Sequence, residues 1–186
     1  MDALEALLTR VSAPRLVDPA PDAAQRDLLF RAALRAPDHG QLRPWRFITV
    51  EGAARARLGE VLARALLSGN PEAPMEALDK AHAMPLRAPL LVLVVARVQD
   101  HPKVPPQEQV LAAGCAAHAI LLAAHAQGIG AVWRTGELSY SAPLAAALGL
   151  AAGEQLIAFL YLGTPERALR IPAVLEPADF VSTWTG

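Results

Sequence analysis

Pro89–Val98 (PLLVLVVARV) is a continuous run of aliphatic residues, and it decides the fold class. Such a run lacks the polar alternation of a half-exposed strand, so it predicts a β-strand that is buried on both faces. The Ala- and Leu-rich stretch Pro106–Gln127 follows it and predicts a long helix that is apolar on every side. A helix of this kind must be surrounded by protein. The two segments together predict a protein with both α and β structure.

The most apolar part of this helix, Val110–Ala126, requires a separate test for membrane insertion. At roughly 17 residues, many of them alanine, it is at or below the length and hydrophobicity that a membrane-spanning helix needs. It also carries His118 and His125. We therefore expect a buried core helix and no membrane partner.

Weaker patterns on either side of this core predict the remaining elements. Strand patterns occur at residues 45–51 (WRFITVE), 129–133 and 155–162 (QLIAFLYL). Asp22 is a candidate N-cap for a helix to about Ala36, with four residues facing inward: Leu28, Leu29, Ala32 and Ala33. Helical patterns occupy four further segments, residues 2–11, 52–67, 71–84 and 141–148.

No linker, internal repeat or low-complexity segment divides the chain. The last twenty residues contain prolines and show no periodicity, which predicts an extended arm. We therefore expect a single α+β or α/β domain over residues 1–186, with an extended C-terminal arm.

The composition excludes several classes of function. The 17 Lys and Arg against 18 Asp and Glu give a net charge of -1, which argues against a nucleic-acid partner. Hydrophobic residues make up 53% of the chain, so it is not a disordered protein. One cysteine, Cys115, excludes a disulfide scaffold. The first residues (MDALE) lack the parts of an export signal, so we expect a cytoplasmic protein.

Sequence motifs for common cofactors and metals are absent. There is no GxGxxG after a strand, no phosphate-binding P-loop, no HExxH and no GxSxG. His118 and His125 lie seven residues apart on the long helix, but no acidic residue shares their face nearby. We therefore expect two buried neutral histidines with backbone partners and no metal site. Cys115 on the same helix is expected to be an inert core residue.

Three polar clusters remain, each at a point where the chain leaves a regular element: Arg10–Ser12, Arg35 with Ala36–His39, and Trp133–Gly136. Each has an ordinary explanation, such as a cation at a helix C-terminus or a simple turn. Arginine and a hydroxyl together also bind phosphate. Backbone amides and an arginine at a strand end are typical of a small-molecule site.

These clusters occur within a longer pattern. The pattern includes Ala36–His39 (APDH), Pro44–Trp45, Ala113–Cys115 (AGC), Ala126–Gly128 (AQG), Trp133–Gly136 (WRTG) and Phe159–Pro165 (FLYLGTP). With these residues at these spacings, nearly the whole chain resembles the FMN-dependent nitroreductase family, in particular its compact bacterial NAD(P)H nitroreductase branch.

The resemblance implies an α+β fold in which a mostly antiparallel sheet surrounds a long central helix. It also implies an intertwined homodimer with FMN at each end of the interface. On this pattern Arg10, Val11 and Ser12 bind the flavin phosphate and ring edge from one subunit. Arg35 and His39 contact the flavin from the other subunit.

Two further stretches acquire roles from the same resemblance. Trp133, Arg134 and Thr135 would line the flavin ring. The helix end would bind the nicotinamide cofactor through Ala123, Ala124, His125, Ala126, Gln127 and Gly128. The implied activity is the reduction of nitroaromatics, quinones or similar small acceptors with NADH or NADPH. The flavin carries the hydride, so no catalytic acid or base is assigned.

Two alternatives stay open at this point. The same fold could perform another flavin reaction, such as dehalogenation or desaturation, although the only candidate lid, Gly69–Pro85, is short. The chain could instead bind flavin without turnover. That alternative arises from Val11, which stands where the family usually has a second arginine before the serine. Arg15, Arg134 and Arg170 are candidates to replace the missing cation.

Overall fold

Five antiparallel strands form the centre of the protein, which the computed structural model describes over residues 1–186. Their bounds are β1 Leu16–Val17, β2 Trp45–Glu51, β3 Leu90–Arg97, β4 Gly130–Arg134 and β5 Glu154–Pro165. β3 lies between β2 and β5, β4 pairs with β5, and β1 pairs with the last two residues of β5. Because every pairing is antiparallel, the fold is α+β, and the α/β alternative is excluded.

Six helices surround this sheet. They are α1 Ala3–Thr9, α2 Ala23–Ala33, α3 Ala54–Gly69, α4 Met75–Ala83, α5 Pro106–Ala126 and α6 Ala142–Ala147. Short 3-10 turns lie at His39–Gln41, Met84–Arg87, Glu137–Tyr140 and Pro177–Asp179. Each predicted helix exists, and the strands at 45–51 and 130–134 lie within a residue of their predicted bounds. β1 was not predicted, because its two residues sit in a proline-rich segment without alternation.

The aliphatic run forms a strand that is buried on both faces, as predicted. Residues Leu90–Ala96 of β3 are all 0% exposed. Leu90, Val92 and Val94 pack in the cluster that contains α2 and α5, whereas Leu91 and Leu93 pack in the cluster that contains α3. The sheet therefore has one core on each side.

The long helix α5 is a core helix along its inner side, as predicted, but its outer side is uncovered in the single chain. Leu111 is 59% exposed, and Cys115 and His118 also lie on the exposed side. The predictions of a core cysteine and of a buried His118 are therefore wrong. His125 is half-buried, but its partner is the side chain of Thr9 rather than a backbone group. Apolar composition does not distinguish a side of a helix that packs in the core of its own chain from a side that packs against another molecule.

By length and composition alone, α5 could cross a membrane. Its inner side, however, packs against β3, β4 and β5. That packing is typical of the core helix of a folded domain.

The first two helices also leave apolar side chains uncovered. On α1, Leu4 is 70% exposed and Leu8 is 75% exposed. On α2, Leu29 and Ala33 are buried as predicted, but Leu28 is 54% exposed and its prediction is wrong. Leu29 and Ala33 are four residues apart and share the face that meets α5, whereas Leu28 is rotated by about 100° from Leu29.

After β5 the chain forms only one short turn, Pro177–Asp179. Six large apolar side chains in this C-terminal arm are 68–92% exposed: Ile171, Val174, Leu175, Phe180, Val181 and Trp184. Such a set of uncovered side chains is typical of a segment that packs against another molecule.

Candidate functional site

The Arg10–Ser12 segment leads from the end of α1 into the sheet. Just before it, the Thr9 hydroxyl lies 2.9 Å from Nε2 of His125, near the C-terminal end of α5. Just after it, the backbone N–H of Ala13 donates to the carbonyl of Ala131 at 2.9 Å. The segment is therefore held between the end of α5 and the start of β4. Val11 is buried, with 8% exposure, and presents no side chain to a ligand at the surface.

Two neighbouring cavities open beside this segment, and they form what we call the arginine groove. The first has a volume of about 490 Å³ and is lined by Ser12–Arg15 and Arg167–Arg170. The second has a volume of about 380 Å³, shares Pro14 and Arg15 with the first, and is lined by Leu16, Val17, Leu86, Arg87, Arg134 and Glu166. The shared residues make the groove elongated, with basic side chains along its whole length.

Positive charge dominates the arginine groove. Its five arginines are Arg15, Arg87, Arg134, Arg167 and Arg170, and its only carboxylate is that of Glu166. Glu166 lies 3.6 Å from Arg15 and 3.9 Å from Arg167, which is too far for a hydrogen bond. A groove with this excess of guanidinium groups fits an anionic ligand.

The Trp133–Gly136 segment divides between the two sides of the sheet. Trp133 packs with the core on the α5 side, where its ring lies 4.0 Å from the Cβ position at Gly114. Arg134 points to the opposite side, where its guanidinium carbon lies 5.9 Å from the centre of the Tyr161 ring. Arg134 therefore belongs to the arginine groove, whereas Trp133 borders the exposed side of α5. Thr135 is exposed at the end of β4.

Two buried polar atoms next to the groove have no partner. They are Nε of Arg134 and the hydroxyl of Tyr161. Tyr161 is 1% exposed, and this burial raises the pKa of its phenol, although the charges of Arg87 and Arg134 partly oppose the shift. The phenol is therefore neutral at pH 7. Buried polar groups normally have hydrogen-bond partners. The two unpaired atoms therefore indicate that a group from outside this chain completes the groove.

The Arg35–His39 segment lies at a different place. Arg35 is exposed just beyond α2 and lines a separate cavity of about 340 Å³ with Asp38, Arg43 and Trp45. Nδ1 of His39 lies 2.6 Å from a carboxylate oxygen of Glu108, in the first turn of α5. At 1.5 Å per residue, Glu108 and His125 are about 25 Å apart along the helix. One chain therefore does not bring Arg35 and His39 together with Arg10 and Ser12.

The stretch at the end of α5 presents only part of its surface. Ala124 is 0% exposed and packs in the core, so its side chain meets no ligand. Ala123 and Gln127 are half-buried, and the Gln127 amide donates to the carbonyl of Ala123 at 3.1 Å. Ala126 and Gly128 are exposed, and Gly128 has a φ of 73°, which ends the helix as expected for a glycine cap.

The sequence did not identify Arg87 and Arg167 of the groove, or Tyr161, whose ring lies beside the Arg134 guanidinium. Tyr161 lies within a strand whose pattern predicts only core packing. Arg87 and Arg167 lie in irregular segments, where an arginine has no local signal. For such residues the only indication of a binding role in the sequence is a position shortly after the end of a predicted strand. Arg167 and Arg170 occupy such positions. No three His, Cys, Asp or Glu side chains form a group that could hold a metal ion.

An antiparallel sheet packed against a long helix defines the α+β class of the protein, and the basic groove beside it defines a site for an anionic ligand. The model of the nitroreductase family matches residues 9–164, and the chain belongs to this family. Its members are oxidoreductases, and the family prediction is confirmed.

Relatives and solved structures agree with this assignment. The chain is 44% identical over 184 residues to the proposed NAD(P)H nitroreductase YdjA of Escherichia coli strain K12, covering 98% of this chain and 99% of YdjA. A nitroreductase-like family protein from Bacillus cereus superposes with a TM-score of 0.85, at 20% identity, covering 100% of this chain and 97% of that one. A proposed nitroreductase from Desulfovibrio desulfuricans in complex with FMN superposes with a TM-score of 0.70, at 25% identity, covering 98% of this chain and 96% of that one. The predicted nitroreductase-like fold is confirmed.

Proposed function

We propose that the protein is a homodimeric, cytoplasmic FMN-dependent oxidoreductase. It uses NADH or NADPH to reduce nitroaromatics, quinones or similar small acceptors. The name of the Escherichia coli relative supports the nicotinamide donor, and the Desulfovibrio desulfuricans complex supports the flavin. The single observation that carries the proposal is the arginine groove, because its excess of positive charge fits the phosphate and the ring edge of FMN.

The residues of the groove match the chemical groups of FMN. Its phosphate carries negative charge and several acceptor oxygens. The Ser12 hydroxyl and the guanidinium groups of Arg167 and Arg170 line the larger cavity and would hold that phosphate. The flavin ring offers acceptor atoms along one edge. Arg134, whose Nε has no partner, lines the other cavity and would face this edge.

The chemistry requires little from the protein beyond binding and charge. When bound, FMN supplies the hydride acceptor and donor, and its reduction adds negative charge near N1 and O2. Arg15 and Arg134 hold positive charge in the groove, which favours that reduced form. No side chain needs to act as a general acid or base. We expect donor and acceptor to use one site in turn, which gives ping-pong kinetics.

A homodimer would complete the site. Arg10 and Ser12 lie near the C-terminal end of α5, and Arg35 and His39 lie near its N-terminal end. If two α5 helices pack antiparallel about a two-fold axis, each end of one helix meets the opposite end of the other. The exposed Leu111 on α5, Leu4 and Leu8 on α1, and the apolar C-terminal arm supply uncovered surface for such contact.

The nicotinamide donor would meet the end of α5. Of the six residues assigned to it, Ala126 and Gly128 are exposed, and Ala123, His125 and Gln127 are half-buried. Ala124 would contribute only through its position in the helix. Whether NADH or NADPH is preferred depends on contacts to the adenosine part of the donor.

Absorbance and rapid kinetics test the proposal. Purified protein reconstituted with FMN should be yellow, and NADH or NADPH should bleach the flavin absorbance in a stopped-flow instrument. Protein that takes up no FMN would contradict the proposal. Bound FMN that NAD(P)H does not reduce would identify a flavin-binding protein without turnover. Turnover with haloaromatic but not with nitro or quinone acceptors would identify a dehalogenase.

A further inference from the structure

The second cavity of the arginine groove contains an arginine that neither the sequence pattern nor the comparisons assign. Arg87 ends the 3-10 turn Met84–Arg87 and lines this cavity with Arg15 and Arg134. Its side chain is exposed and has neither a hydrogen bond nor an ion pair within the chain. Nothing in the packing of the domain therefore requires a guanidinium at this position.

The three guanidinium groups around this cavity repel one another and have little compensation. Glu166 is the only carboxylate at the cavity, and it lies beside Arg15 at 3.6 Å. Arg87 and Arg134 have no carboxylate within salt-bridge distance. Like charges gathered around a cavity destabilise a protein unless an anion occupies it.

Tyr161 adds an independent observation at the same place. Its hydroxyl is buried without a partner, and the guanidinium carbon of Arg134 lies 5.9 Å from the centre of its ring. The Nε of Arg134 is also buried without a partner. Arg134 therefore lines the cavity with a buried donor that has no partner, and the unpaired Tyr161 hydroxyl belongs to the ring beside that guanidinium. A cavity with three cations and an unpaired donor fits a ligand with negative charge and acceptor atoms.

We propose that Arg87 is a positioning residue for the negatively charged edge of the reduced flavin. In this role it supplies, with Arg15 and Arg134, the cation that Val11 does not provide. The proposal rests on the proposed FMN function. Val11 is uncharged and buried, so position 11 supplies no cation beside Ser12. The groove instead places a cation on the 3-10 turn between α4 and β3.

The guanidinium group of Arg87 would bind an anionic group of the ligand. Three different ligand groups could supply that negative charge. They are the edge of the reduced flavin ring, the phosphate of FMN and a phosphate of the nicotinamide donor. We favour the ring edge because Ser12, Arg167 and Arg170 already surround the other cavity, where a phosphate fits. Arg134, at the end of β4, is in the same cavity as Arg87.

The test measures flavin affinity and midpoint potential in the reconstituted protein. An Arg87→Ala variant should bind reduced FMN about tenfold more weakly relative to oxidised FMN, which is a fall of about 30 mV in the two-electron potential. The same fall should occur with riboflavin, which has no phosphate. Arg87→Lys should restore most of the potential because it keeps the charge. Arg57→Ala removes an equally exposed arginine from α3, outside the groove, and should leave the potential unchanged.

Other results would overturn the inference. An unchanged potential with weaker binding of FMN, but not of riboflavin, would place Arg87 at the phosphate. An unchanged potential with a raised KM for NADPH, but not for NADH, would place it at the donor. Unchanged values throughout would leave Arg87 without a role in binding. If the wild-type protein binds no flavin, the proposed function itself fails, and that result is distinct from a flavin-loaded protein that is indifferent to Arg87.

Discussion

Nδ1 of His39 lies 2.6 Å from Oε2 of Glu108. This interaction holds His39, one of the candidate flavin-binding residues, at the start of α5. The two side chains are 57% and 46% exposed, so the pair contributes little to stability. Its effect is to hold the Arg35–His39 segment in place. The corresponding contact at the other end of α5 joins Thr9 to His125. One helix therefore separates the two halves of the proposed site.

The first prediction concerns Gly163, which lets β1 lie close to β5. A Cβ at this position would stand 2.6 Å from Cδ of Pro89 and 2.9 Å from the carbonyl oxygen of Val17. Gly163→Ala must therefore displace Pro89, β1 or both, and Val17 of β1 lines the groove. We expect a loss of about 1–3 kcal/mol in the free energy of unfolding, measured in urea, and weaker FMN binding.

A matched glycine variant separates this clash from a general effect of adding a methyl group. Gly69, the last residue of α3, has nothing within 4 Å of its Cβ position. Gly69→Ala should leave stability unchanged or slightly raised, because alanine is the better helix former. Equal stability of both variants would show that β1 is not held as closely as the structure indicates.

The second prediction concerns the stability of the protein in acid. Glu154 accepts two hydrogen bonds from Arg46 at 2.7 Å, and these lower the pKa of its carboxyl from 4.5 to about 2, with smaller help from the Ala151 N–H and from Arg97. A lowered folded-state pKa gives stability that is complete above the unfolded pKa, near pH 4.5, and is lost as the pH falls to about 2. The carboxylate side chain is only 10% exposed, so solvent screening is weak.

Removing this carboxylate should flatten the acid limb of the stability curve. Glu154→Gln should lose about 2–3 kcal/mol at pH 7, and the difference from wild type should shrink as the pH approaches 2. Urea titrations between pH 2 and pH 7 measure both effects. Glu60→Gln, which changes an exposed carboxylate of α3 without an ion pair, should keep the wild-type profile. A constant difference across this pH range would show that the lowered pKa is not the source of the stability.

The third prediction concerns the exposed side of α5. Leu111 is 59% exposed in the single chain, and we propose that a second copy covers it. Leu111→Glu places a charge in that contact and should halve the mass that light scattering measures at micromolar concentration. Met75→Glu changes a residue that is 71% exposed on α4 and should leave the mass unchanged. A dimer that survives Leu111→Glu would show that this side of α5 faces solvent.

The fourth prediction uses Cys115 as a reporter of the same surface. The thiol lies one turn from Leu111 and is exposed in the single chain. If two copies meet here, a thiol reagent such as Ellman's reagent should react slowly with the wild-type protein and rapidly with Leu111→Glu. The single cysteine makes the readout unambiguous. Rapid reaction of the wild-type protein would exclude Cys115 from the contact.

The fold could be predicted from the sequence wherever a local pattern matched a local environment. The aliphatic run is buried on both faces over Leu90–Ala96, and β2 has the bounds that its sequence pattern predicts, Trp45–Glu51. Patterns on α5 failed for a physical reason. Periodicity indicates which side chains are removed from water, but not which molecule covers them. Cys115 and Leu111 can be covered by a second chain as well as by their own.

The candidate site was predicted only in part, because its residues come from segments without periodicity. Ser12 and Arg134 followed from clusters at the ends of regular elements. Arg87 could not be predicted, because only a tertiary contact brings it to the groove. In that contact the turn before β3 lies close to β4. The role of Val11 could not be predicted either, because it depends on burial. Burial decides whether the backbone or the side chain of a residue contacts a ligand.

The last prediction tests whether the two halves of the site meet across subunits. Ser12 lies in the arginine groove, and Arg35 lies at the other end of α5 and has no ion pair in the chain. If both contact one FMN, each of Ser12→Ala and Arg35→Ala should weaken FMN binding, the latter by about 1.5–3 kcal/mol, as expected for a hydrogen bond to a charged group. FMN should also raise the Tm of the dimer, by an amount that grows with the logarithm of its concentration once FMN exceeds its Kd.

Mixing the two variants after subunit exchange distinguishes a shared site from a site within one chain. In a heterodimer, one site carries both substitutions and the other carries neither. Roughly a quarter of all sites should therefore regain wild-type affinity, given random pairing in a symmetric dimer. Fluorescence titration with FMN would detect this fraction as a separate tight-binding phase, and each variant treated alone should lack it. If mixing restores no tight sites, Ser12 and Arg35 do not contact the same flavin from different subunits, because a two-fold arrangement of the proposed kind makes the unsubstituted site unavoidable.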